Sequence, residues 1–269
     1  MTTAWITLRH QPPYRSGAFA NGFENLGYTP RLQFPEPGAV RAGDVVVTWN
    51  MNVRYRGAAE QAKTAGAALI VAENGYIYRN AATEPYYALA RDGHNGSGNW
   101  WVGAEDRWAL LNHTLRPWQG TNRTGYILIA DQRSIGSELM KSPRQFQTMS
   151  EKRIKSIFAR AGERSVPVRY RPHPGRNAPK ETLSDALRGA RAVVTWSSNV
   201  ANIATLMGIP SFRMAPYHVN SAVLGDMNLL PNPPEPDRVE GFRRLAWAQW
   251  AQSEIEAGTA FEWLLQDIA

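Results

Sequence analysis

The chain of 269 residues contains no cysteine. That excludes a disulfide framework, a zinc ribbon and a thiol nucleophile, and leaves any catalysis to oxygen and nitrogen groups. No apolar stretch of about 18 residues occurs, and Met1 to His10 lacks the basic start and apolar run of a secretory leader. The expectation is a soluble, cytoplasmic protein without membrane contact. The five histidines, His10, His94, His113, His173 and His218, show no ligand spacing such as His-x-x-x-His, and no Asp-x-Asp pair is present, so no metal site is predicted. Lysine is scarce too: of thirty basic residues only Lys63, Lys141, Lys152, Lys155 and Lys180 are lysine.

What is there is arginine, carrying the chain to a formal net charge of +7 and a pI near 9.8. A guanidinium presents a planar fork that matches phosphate oxygens, which points to a phosphate-bearing partner. Codon bias of a high-GC genome gives the same excess, and net charge alone does not separate the two. With 43% hydrophobic and 20% charged residues the chain is globular, and its length fits one large α/β domain or two small ones.

Short runs rich in β-branched residues alternate with helical segments and turn signals, the pattern of parallel α/β units. Strands are expected near Ala4–Leu8, Asp44–Trp49 and Ala68–Ala72, then near Tyr126–Ala130, Val166–Tyr170 and Ala192–Trp196. Arg54–Ala65, closed by Gly66, and Arg144–Arg160, with Phe146, Ile154, Ile157 and Phe158 at helical spacing, read as crossover helices. Val45-Val46-Val47-Thr48-Trp49 and Ala192-Val193-Val194-Thr195-Trp196 echo one another, either as matching halves or as two buried strands alike by chance. The halves divide in the Pro- and Gly-punctuated stretch Arg116–Gly125, which gives domains at 1–120 and 121–236. Residues 237–269 are expected to form two helices broken near Gly258.

Two segments carry candidate chemistry. Arg171-Pro172-His173-Pro174 ends one strand, and Ser197-Ser198-Asn199 leads from the next into a helix, Val200–Met207, where free backbone N–H groups favour an anion. The serines also fit as simple helix caps, and His173 as a rigid turn residue. Arg133, after Tyr126–Ala130, is placed to neutralise phosphate, or is a surface arginine. In the first half, Asp92-Gly93-His94-Asn95-Gly96 offers a carboxylate and an imidazole on a Gly-rich loop, with Asp92 the first choice of general base and His94 the second. An Asx turn is the plain alternative for Asp92. No clear strand precedes this loop in the sequence. Trp100 and Trp101 with Arg91, and Arg54, Arg56 and Arg79 near first-half strand ends, interleave aromatic and basic groups as a nucleic-acid surface does.

The run Arg-Pro-His-Pro, strand, Ser-Ser, helix, Gly208-Ile209-Pro210 resembles the donor domain of GT-B glycosyltransferases, especially the capsule Kdo-transferase and bacterial sialyltransferase type. The resemblance covers about residues 165–212. It implies two Rossmann-like domains facing across a cleft, with C-terminal helices bracing them, and a nucleotide-sugar co-substrate held by Arg133, Arg171, His173, Ser197, Ser198, Asn199 and Asn202. Where such helices often carry a ribose-binding glutamate, this chain has Asn202 and Ile203. The segments Ala72-Glu73-Asn74-Gly75, Gly93–Gly96 and Leu245–Trp250, the last read as a terminal helix, are similar to those of phage proteins linked to DNA hypermodification, of the β-glucosyltransferase type. That likeness implies a monomer in the host cytoplasm. It would use no cofactor beyond a UDP-sugar and glycosylate 5-hydroxymethylcytosine in double-stranded DNA by an inverting, metal-independent reaction. Arg54, Arg56, Arg79, Arg91, Asn95, Trp100 and Trp101 would hold the DNA. A cell-envelope saccharide acceptor, or a non-catalytic DNA-binding phage protein, are the alternatives.

Overall fold

A computed structural model of the chain describes residues 2–10, 15–78, 83–120, 124–134, 136–163, 166–175 and 179–266. Its elements begin with β1 (Thr3–Ile6), α1 (Arg15–Asn25), β2 (Thr29–Arg31), β3 (Val45–Trp49), α2 (Arg56–Ala65), β4 (Ala68–Asn74), β5 (Tyr86–Arg91) and α3 (Arg107–Leu111). The chain continues with β6 (Tyr126–Ala130), α4 (Phe146–Arg160), β7 (Val168–Arg171), α5 (Leu183–Arg188), β8 (Ala190–Thr195), α6 (Val200–Leu206) and β9 (Ser211–Arg213). It ends with α7 (Arg238–Trp247), β10 (Gln249–Ala251), α8 (Gln252–Ala257) and α9 (Thr259–Leu265). Two compact units result, 1–112 with 243–269, and 113–242.

Unit 1 holds a six-stranded sheet ordered β10-β5-β4-β3-β1-β2, in which β2, β1, β3 and β4 are parallel, β5 runs antiparallel to β4, and β10 pairs antiparallel with β5. Val45, Val46 and Val47 are buried on both faces, which is why this strand reads as an unbroken β-branched run. One face packs on α2, whose small Ala58, Ala59 and Ala62 let it lie close to Val46 and Val71. Gly66, at φ 67°, ends that helix and donates its N–H back to Ala62 and Lys63. The other face packs on α1, α8 and α9 through Phe19, Phe23, Trp250 and Phe261, with Phe23 and Phe261 stacked at 4.0 Å. Arg107 clamps Glu254 with two bonds of 2.6 and 2.9 Å while lying 4.0 Å from the Trp250 ring, and so ties α3 to α8.

Unit 2 holds a four-stranded, wholly parallel sheet ordered β7-β6-β8-β9. Its first four strands in chain order therefore stand as second-first-third-fourth, the same order as β2-β1-β3-β4. Ile127 to Ala130 are buried, and α4 covers one face with Phe146, Ile154, Ile157 and Phe158. The two echoed segments fall on the third strand of each unit, β3 and β8.

Several expectations change. The first unit gives way to the second at 113 rather than 121, because Arg116 and Gln119 donate their N–H groups to Leu206 and Gly208. The helix expected through Leu245–Trp250 stops at Trp247, and Gln249–Ala251 forms β10 along the edge of β5. The Gln249 side chain rewards that switch by accepting the N–H groups of Tyr76 and Ile77 at 2.8 and 2.9 Å. Helices α8 and α9 do meet at Gly258, at φ 92°. Among the described residues no helix is long and apolar enough to cross a membrane.

Helix α1 lies so close to α8 that a Cβ on Gly22 would stand 2.0 Å from the Ile255 carbonyl oxygen, whereas Gly17 on the same helix has nothing within 4 Å. Gly22→Ala is expected to destabilise the protein by about 1–3 kcal/mol. Gly17→Ala should be neutral or stabilise it by up to ~1 kcal/mol. Urea unfolding of the two variants checks the contrast, and equal effects would refute it.

Candidate functional site

In a parallel sheet every crossover returns to the same side, so the loops after the strands gather at one edge. In unit 2 that edge carries Gln132 and Arg133 after β6, His173 after β7 and Ser197 after β8. Gln132 bridges β6 to β8: its Oε1 accepts from the Ser197 N–H at 2.8 Å and hydroxyl at 3.1 Å, and its amide donates to the Met140 carbonyl. Thr195 Oγ1 donates to the Ala130 carbonyl and accepts the Ser198 N–H, both at 3.1 Å. Ser198 Oγ in turn accepts the Val200 N–H at 3.3 Å, and Asn199 accepts from the Asn202 amide at 2.7 Å. Ser197 and Asn202 are thus buried in the frame of the edge. Arg171 is buried as well and spends a guanidinium N–H on the Glu181 carbonyl.

Arg133 and His173 are brought together. Both would lie within 3.5 Å of a side chain at Gly175, and His173 Nδ1 accepts the Gly175 N–H at 2.9 Å. That bond fixes the tautomer with the proton on Nε2. Behind the serines sits His218, buried, with Nδ1 accepting from Asn220 N–H at 3.1 Å and Nε2 donating to the Ser198 carbonyl at 3.3 Å. Burial lowers its pKa from 6.5 to about 4, so it is neutral at physiological pH and braces the loop.

Unit 1 arranges its residues differently. Strand β5 does precede the Gly-rich loop, contrary to the sequence expectation, and it runs antiparallel to β4. Asp92, exposed at φ 61°, therefore emerges beside the amino end of β4, where its N–H donates to the Leu69 carbonyl. Arg91 and Asn99 close the loop with N–H bonds of 2.8 and 2.9 Å, and Gly93 and Gly98 are required because a Cβ on either would meet backbone or Ala90 within 2.6 Å. The loop folds back along the sheet and delivers His94 and Asn95 to Glu73 and Tyr76. Arg91 lies 5.8 Å from the Trp101 ring, while Trp100 and Trp101 pack on the core. Trp100 also donates to the Arg244 carbonyl at 3.2 Å. Arg56 opens α2 on the surface, Arg54 stacks on Phe34 and Tyr55, and Arg79 lies outside the described residues.

No protein-family model matches the chain, and no curated protein sequence matches it. Solved structures do. The chain superposes on Thermosulfurimonas dismutans KpsC, β-Kdo 2,7 transferase, with a TM-score of 0.53 and 10% identity, over 97% of this chain and 99% of that one. On the β-Kdo 2,4 transferase of the same organism's KpsC the TM-score is 0.56 with 11% identity, over 90% and 89% of the two chains. At such identities the likeness is one of fold: a mixed α/β architecture with two parallel-sheet regions, as in Rossmann-like glycosyltransferases. The phage DNA glucosyltransferase likeness has no counterpart in these matches.

Sequence reasoning passed over Glu73. Half-buried, it ends the row Leu69, Val71, Glu73 on one face of β4, whose first two members are buried, and that alternation of a carboxylate with core residues was the available signal. Its Oε2 and His94 Nδ1 line one small pocket, buried and without hydrogen-bond partners among the described residues. Burial raises the Glu73 pKa from 4.5 to about 7 and lowers that of His94 from 6.5 to about 4. The pocket therefore holds two neutral groups near pH 6, not an ion pair.

These shifts act on stability with opposite sign. A carboxyl raised on folding favours the folded state fully below pH 4.5 and loses that advantage as pH rises through about 7, worth up to about 3 kcal/mol. A depressed histidine favours the folded state above pH 6.5 and loses that as pH falls through about 4. Glu73→Gln is expected to raise stability relative to wild type at pH 8 and to change it little at pH 5. Denaturant midpoints at the two pH values test this, and a pH-independent difference would contradict it.

Proposed function

We propose that the chain is a glycosyltransferase that moves a sugar from a nucleotide-sugar donor to the hydroxyl of a saccharide. The observation that carries this reading is the likeness in fold, running through both units and nearly end to end, to two Kdo transferases. Arg133 and His173 supply chemistry consistent with it. A guanidinium and an imidazole Nε2–H at one strand-end corner suit the phosphate of a leaving nucleotide, whose charge grows as the bond to the anomeric carbon breaks. Ser197, Ser198, Asn199, Asn202 and Arg171 hold the loops around that corner rather than offering free groups to it. A GT-B-like division of labour follows, with unit 2 taking the donor and unit 1 the acceptor.

The attacking hydroxyl must give up a proton as its oxygen forms the new glycosidic bond. Two carboxylates of unit 1 are candidates to take it: Glu73, raised to about 7 by burial but set in a pocket without room for a water molecule, and Asp92, exposed beside the amino end of β4. The saccharide displaces DNA as the favoured acceptor for two reasons. The similar structures are Kdo transferases by their names, and Trp100 and Trp101, the expected base-stacking surface, pack on the core.

The test is incubation of the chain with UDP- and CMP-linked sugars and, as acceptors, oligosaccharides and hydroxymethylated duplex DNA, followed by mass spectrometry. A mass gain on saccharide is expected, with Arg133→Gln lowering kcat by roughly 10²-fold or more and a comparable loss in Glu73→Gln or in Asp92→Asn naming the base. A gain confined to DNA would overturn the acceptor, full turnover by Arg133→Gln would remove that residue from its role, and full turnover by both carboxylate variants would remove the base from unit 1.

A further inference from the structure

The parallel order of unit 1 puts a fork between β1, whose neighbour on one side is β2, and β3 on the other, and in open α/β sheets ligands bind at the carboxyl side of such a fork. A cleft of about 470 Å³ lies there, within the ~300–1,000 Å³ usual for small-molecule sites. Its floor is Ile6, Thr7 and Leu8 at the end of β1, and Phe34 and Arg54 wall it. Thr7 is occupied in holding the fork together, its N–H and hydroxyl both donating to the Val47 carbonyl.

The polar groups that remain are of one sign. Arg9 and Arg54 both face the cleft, no acidic residue lines it, and neither guanidinium has an ion pair or side-chain hydrogen bond among the described residues. Arg54 is nonetheless oriented: its guanidinium carbon lies 5.4 Å from the centroid of Phe34 and 5.9 Å from that of Tyr55, and these two rings stack on each other. Stacking uses the face of a guanidinium and leaves its N–H edge free. His10 fixes the far wall, with Nε2 3.1 Å from the Leu32 carbonyl and Nδ1 3.1 Å from Ser16 Oγ. A carbonyl only accepts, so the ring is a donor there and cannot turn.

We infer that this cleft binds an anionic group, carboxylate or phosphate, carried by the acceptor saccharide. Two unpaired guanidinium groups beside an apolar floor form charge-assisted, two-pronged bonds with either anion, while the floor receives the face of the sugar ring. The inference rests on the saccharide-acceptor reading for what the group is attached to; the anion site itself rests on the cleft alone.

The experiment titrates the chain with glucuronic acid, glucose 6-phosphate and glucose, reading affinity by saturation-transfer NMR and calorimetry. At least one anionic sugar is expected to bind at least tenfold more tightly than glucose, and which of the two does so names the source of the charge. Arg54→Gln and Arg9→Gln should each weaken that binding tenfold or more, whereas Arg153→Gln, removing an exposed charge on α4, should not. Equal affinity for glucose, no binding of either anion, or undiminished binding by Arg54→Gln would overturn the inference. Anion binding that survives in a protein transferring no sugar to any saccharide would instead refute the proposed function and leave the site standing.

Discussion

Each unit depends on one constraint, the parallel order second-first-third-fourth around a buried first strand. Parallel strands need crossovers, the crossovers cover both faces of the sheet, and the chain then leaves each of those parallel strands toward the same edge. Chemistry is confined to that edge because the rest of each sheet is packed core. The two units use the fork differently. In unit 2 Gln132 reaches across it to Ser197 and Met140 and fills it with protein hydrogen bonds, with Arg133 and His173 meeting at Gly175 beside it. In unit 1 no equivalent side chain crosses above Thr7 among the described residues, and a cleft lies at the fork.

Arginine serves this architecture as much as it serves any partner. Arg107, Arg171, Arg191, Arg238 and Arg243 all donate to backbone carbonyls, and several also pair with a glutamate or lie over an aromatic ring. Irregular connections leave carbonyls without partners, and a five-donor fork reaches more of them than a lysine does. A good part of the basic excess is thereby structural. What stays available is the small set without such ties, Arg9 and Arg54 among them. Half-buried Glu73 and buried His94 and His218 show the opposite economy: each stays neutral near pH 6 because removal from water costs less in the uncharged form.

Much of the core was legible because parallel strands buried on both faces leave unbroken β-branched runs; Val45–Trp49 and Tyr126–Ala130 are the clearest. The antiparallel margin was not. Strand β10 spans three residues inside a run, Leu245–Trp250, whose apolar spacing suits a helix, and only the open edge of β5 and the waiting N–H groups of Tyr76 and Ile77 make it a strand. Helix α1 escaped notice for a related reason: Gly17 and Gly22 lower its propensity, while the close approach to α8 that requires Gly22 is a tertiary fact. For the candidate site, the sequence places His173 and Arg133 on loops after strands, whereas Gln132 leaves no sign because its role comes from a neighbouring strand, and Glu73 shows only as a carboxylate in the alternation of β4.

The echoed Thr-Trp pairs show how far local sequence carries. Each tryptophan does the same work, Trp49 against Tyr87 at 6.4 Å and Trp196 against Phe146 at 6.2 Å, both edge-on, so packing on that face is common to both units. The threonines part company. Thr195 spans the fork to Ala130 and holds the Ser198 N–H, whereas Thr48 Oγ1 is buried without a hydrogen-bond partner among the described residues and Thr7 makes the corresponding bridge from the first strand instead. Moving that bridge from the third strand to the first leaves the loop after β3 free of the fork, and that loop runs through Asn50 and Met51, at φ 46° and 52°, to Asn52 and then Arg54. Identical dipeptides on equivalent strands thus support a closed edge in one unit and, in the other, an edge whose next charged residue is turned to a cleft.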